Sequence, residues 1–62
     1  MIVATDLSLS DKRILHEALY RNVVYFYDLY HDSADTKAAA QMAADLFPQI
    51  GYPTPHWVTD LL

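Results

Sequence analysis

The chain has 62 residues, 53% of them hydrophobic, with eight acidic against four basic side chains and a formal charge of -4. So short a chain allows one domain, residues 1–62, that buries only about 60% of its unfolded surface, and the absence of cysteine excludes disulfides and thiolate zinc sites. The acidic balance makes nucleic acid an unexpected partner, because phosphate contacts need a basic patch; no apolar run reaches the ~20 residues of a membrane span.

The first residues, from Met1 to Asp6, lack the basic and long apolar regions of a signal peptide, so a cytoplasmic location and no membrane partner are expected. Residues 1–8 offer only the apolar pair Ile2 and Val3 and read as an extended arm. Ser10 is the expected N-cap of the first helix, since Leu9 and Ile14 then take the N′ and N4 positions of a hydrophobic staple.

No Gly or Pro interrupts residues 11–31. At ~100° per residue, Ile14, Leu15, Ala18, Leu19, Val23, Tyr25, Phe26, Leu29 and Tyr30 fall within about half the circumference. This period predicts a helix over 11–31. A strand from Val23 to Tyr27 has the right residue types but no polar alternation.

Asp32, Ser33 and Asp35 compete to cap a second helix over 34–47. Lys37, Gln41 and Asp45 form its solvated stripe, and Ala39, Met42, Ala43 and Leu46 face the other way. Ala40 and Ala44 lie off that apolar line and offer a second contact surface. Pro48 ends the helix. Gln49 to Pro53 reads as a turn, and Thr54 followed by Pro55 matches an N-cap with proline at N1, opening a third helix over 55–61. The second helix is shorter than the first, roughly 21 Å against 31 Å at ~1.5 Å per residue. Trp57 is therefore expected to lie largely buried over Ile14, Leu15 or Ala18.

The expected fold class is all-α: an antiparallel hairpin closed by a short C-terminal helix. A core this small needs supplementing, and without disulfides or a metal the supplement expected is a second copy, giving a homodimeric helical bundle.

Candidate chemistry is sparse. Asp28, His31, Asp32 and Asp35 hold one acid-x-x-His pair of the kind that ligates metal in di-iron bundles, but those bundles need two such pairs and further inward carboxylates. A metal- or small-ligand-binding bundle built on these four residues is thus the alternative reading, and a nucleic-acid accessory protein using Lys12, Arg13 and Arg21 a further one. His16 and Glu17 are adjacent on a helix and diverge. His56 beside Trp57 reads as a packing neighbour. No nucleophile elbow, phosphate loop or zinc-protease motif is present, so the chain is expected not to be an enzyme and to have no catalytic residue, metal or cofactor.

Two features point instead to binding. Asn22 falls near the middle of the apolar arc, where an amide either bonds to its own copy across a two-fold axis and sets the register, or satisfies a backbone group within the chain. Tyr20, Val24, Tyr27 and His31 recur at i, i+4, i+7 and i+11 as a second seam opposite that arc. Tyrosines are enriched where proteins meet. The expected function is that of a small acidic helical protein-interaction module, a regulatory or accessory factor that binds a protein partner of unknown identity and itself.

Overall fold

The computed structural model describes residues 6–62. Most of the expected N-terminal arm, residues 1–5, lies outside them. The described chain is all-α: α1 spans Leu9–Tyr30, α2 Ala34–Leu46 and α3 His56–Thr59, with a single 3-10 turn at Pro48–Ile50. Helices α1 and α2 pack as an antiparallel hairpin, and the molecule measures 33 × 20 × 16 Å. The long dimension matches α1, whose 22 residues rise about 33 Å.

The helix starts follow side-chain capping. Ser8, not Ser10, caps α1: its hydroxyl accepts from the Asp11 N–H at 3.1 Å. The expected staple does not form, since Leu9 and Ile14 are both exposed. Instead Leu7, at N′ of the true cap, packs against the core. Ser33 caps α2 by accepting from the Thr36 N–H at 3.3 Å. Thr54 makes no such bond, and α3 is only four residues long with Pro55 at its N-cap position, three residues fewer than expected.

The core consists of Leu19, Val23, Ala39, Ala40, Ala43, Leu46, Phe47, Ile50 and Val58, with Leu7, Leu15, Phe26, Tyr52 and Leu61 packed against it. Two expectations are corrected here. The face of α1 that meets α2 is centred on Leu19 and Val23, while Ile14, Ala18, Tyr25, Leu29 and Tyr30 stay exposed. On α2, Ala40 is fully buried and Met42 is half exposed, the reverse of the expected pattern. Both follow from one cause. Ala39, Ala40 and Ala43 have almost no side chain, so α1 settles closely against them, and that close seat selects which part of its wide apolar arc is covered. The Thr36 hydroxyl then locks the rotation by donating to the Phe26 carbonyl at 3.1 Å.

Beyond α2 the chain reverses sharply. Gly51 adopts φ +83, a left-handed conformation that suits glycine, and the Tyr52 N–H returns to the Phe47 carbonyl at 3.0 Å. This lays the Tyr52 ring on His16, stacked with centroids 4.0 Å apart and planes 16° from parallel. His16 also lies 5.1 Å from the Phe47 ring. Tyr52, not Trp57, is thus the aromatic cover over the N-terminal half of α1.

Candidate interaction cleft

Trp57 lands on the other flank of α1. Its ring meets Tyr20 edge to face, with centroids 5.2 Å apart and planes at 85°. With Tyr20, Val24, Tyr27, Asp60 and Leu61 it lines a solvent-open cleft of about 410 Å³. Helix α1 supplies one wall, because residues 20, 24 and 27 repeat at helical spacing along one side. The C-terminal segment supplies the other. Val58, fully buried in the core, anchors it there, and its neighbours Trp57, Asp60 and Leu61 are directed to the cleft.

Comparison with known proteins finds no matching family model, no matching curated protein and no matching solved structure.

Three of the four seam residues, Tyr20, Val24 and Tyr27, come together in the cleft. The seam flanks the buried line of Leu19 and Val23 and does not lie opposite it, so the cleft is continuous with the hairpin's edge. His31 does not line the cleft; its ring stands edge-on to Tyr27 with centroids 6.1 Å apart. His31 closes α1 at φ 52 and ψ -134, and its N–H bonds to the Tyr27 carbonyl at 2.8 Å. That backbone conformation is unusual for a residue with a side chain.

Trp57, Asp60 and Leu61 were absent from the expected site. Their spacing puts positions 57, 60 and 61 on one side of a helical turn, which was legible. Where that turn docks was not.

Asn22 is half-buried at the edge of the covered face of α1 and makes no side-chain hydrogen bond to another described residue. It therefore satisfies no backbone group at the hairpin or the C-terminal turn. Asp28, His31, Asp32 and Asp35 are all exposed, and among the described residues no grouping of three or more His, Asp or Glu side chains is arranged to hold a metal ion. Of Lys12, Arg13 and Arg21, Arg21 pairs with Glu17 on the surface of α1 at 3.2 Å. No helix of the described residues is long and apolar enough to cross a membrane.

Proposed function

We propose that this chain is a small acidic protein-interaction module, regulatory or accessory in role, that receives a protein partner in the Tyr20–Val24–Tyr27–Trp57 cleft. One observation carries the reading. Ten large hydrophobic side chains stand exposed among the described residues while the core holds nine hydrophobics, three of them alanine. Large apolar groups left exposed in such number favour association where they are contiguous. The cleft is the concave part of that surface and carries three of the exposed aromatics.

Self-association belongs to the opposite flank of α1. Ile14, Ala18, Tyr25 and Leu29 form an exposed apolar stripe with Asn22 at its middle. An amide without a side-chain hydrogen-bond partner among the described residues suits pairing with its copy across a two-fold axis, where it would set the register of a homodimer. The cleft stays open to the partner in such a dimer.

The test uses the full chain. In capture from the native host, Val24→Asp and Tyr27→Ser are expected to lose the proteins retained by the unsubstituted chain while keeping its helical circular dichroism. Retention of the same proteins by both variants overturns the cleft assignment. Sedimentation equilibrium reads the dimer separately: Asn22→Arg is expected to shift the chain to monomer, and a strictly monomeric unsubstituted chain at high concentration removes the homodimer.

A further inference from the structure

The cleft's composition narrows the chemistry of what enters it. Among the described residues its walls are two tyrosines, a tryptophan, Val24 and Leu61, and its one charged group is Asp60. Aromatic faces carry negative charge density at their centres and attract cations within about 6 Å. Tyr20 and Trp57 present two such surfaces at right angles, so a flat cation laid against one ring points its edge toward the other. Asp60 forms no ion pair and accepts no side-chain hydrogen bond from another described residue. None of the chain's four basic residues lines the cleft.

We propose that the cleft is a receptor for an arginine side chain projecting from a basic segment of the partner. This rests on the interaction-cleft reading above and supplies its specificity. The guanidinium stacks against one ring of the Tyr20–Trp57 pair with its edge toward the other, and its N–H groups donate to the Asp60 carboxylate in the two-pronged geometry that arginine and carboxylate share. The apolar stem of the arginine runs over Val24 and Leu61. Arginine fits better than lysine because it is planar, matches the fork of a carboxylate and sheds its hydration more readily. The net charge of -4 favours the approach of a basic segment over an acidic one.

Trp57 is the only tryptophan in the chain and lines the site, so its fluorescence reports occupancy directly. The full chain is titrated with a capped peptide Gly-Ser-Arg-Ser-Gly and with the same peptide carrying citrulline, lysine or trimethyllysine in place of arginine. The arginine peptide is expected to change Trp57 emission saturably. Citrulline, which keeps the shape and loses the charge, is expected to bind at least roughly tenfold more weakly, and Asp60→Asn to weaken the arginine peptide by a similar factor. Equal binding of the citrulline and arginine peptides, or tighter binding of the trimethyllysine peptide, overturns the proposal. So does an Asp60→Asn chain that binds the arginine peptide unchanged. Any of these results leaves the cleft standing as an interaction surface as long as Val24→Asp abolishes partner capture; loss of that effect is what removes the parent reading.

Discussion

The hydroxyl of Thr36 donates across the hairpin to the backbone carbonyl of Phe26, ten residues earlier, at 3.1 Å. Thr36 is the one fully buried polar residue in the described core, and its Oγ1 also lies 3.2 Å from the Ser33 hydroxyl. The bond ties the last turns of α1 to the first turn of α2. Thr36→Val keeps the shape and deletes the hydroxyl, so it is expected to cost about 1 kcal/mol, the net worth of one such bond. Urea denaturation measures it. A cost near zero shows that packing of the alanine face alone sets the helix rotation.

Phe47 is fully buried where α2, the 3-10 turn and the N-terminal half of α1 converge. Truncating a buried phenylalanine costs about 3–5 kcal/mol, whereas a chain of this length has about 3–9 kcal/mol in all at 0.05–0.15 kcal/mol per residue. Phe47→Ala is expected to leave much of the population unfolded at 25 °C. Phe47→Leu should fold with a lowered melting temperature, and calorimetry distinguishes the two.

His31 occupies a backbone conformation with positive φ that glycine adopts at far less cost than histidine. His31→Gly is expected to stabilise the fold by about 1 kcal/mol, the relief of strain exceeding the added freedom of glycine in the unfolded chain. For a domain of this size that raises Tm by about 4–8 °C. A lowered Tm shows that the ring's contact with Tyr27 outweighs the backbone strain.

Gly51 also has positive φ, but a Cβ placed there meets nothing within 4 Å. The cost of Gly51→Ala is thus conformational alone, about 1–2 kcal/mol. Gly51→Asn, which tolerates the left-handed region, should lose less. Thermal melts of the two variants check the order, and equal losses show that the turn does not depend on this conformation.

Helix content and connectivity were legible before any tertiary contact was known. The uninterrupted apolar period, serine caps, the helix-ending Pro48 and the lone Gly51 in the turn are local signals acting within a few residues. The choice of Ser8 over Ser10 was not local, because both are good caps. Leu7 finding a place against the core distinguishes them, and that depends on what packs nearby.

The rotation of α1 and the docking of the C-terminal segment were decided only in three dimensions. An apolar arc covering half a helix leaves its rotation undetermined, and the arc's own centre, near Asn22, proved to be the half-buried edge of the covered face. The small side chains of Ala39, Ala40 and Ala43 select the covered part, through a closeness of approach that one helix alone cannot encode. Tyr52 and Trp57 are both plausible covers for the N-terminal half of α1. The tight return of the chain after Phe47 places Tyr52 there first, and with that space filled Trp57 goes to the Tyr20 flank and shapes the cleft. Periodicity along one chain determines that a residue is on a helix and roughly which side it takes; mutual exclusion of volume between elements determines which neighbour it meets.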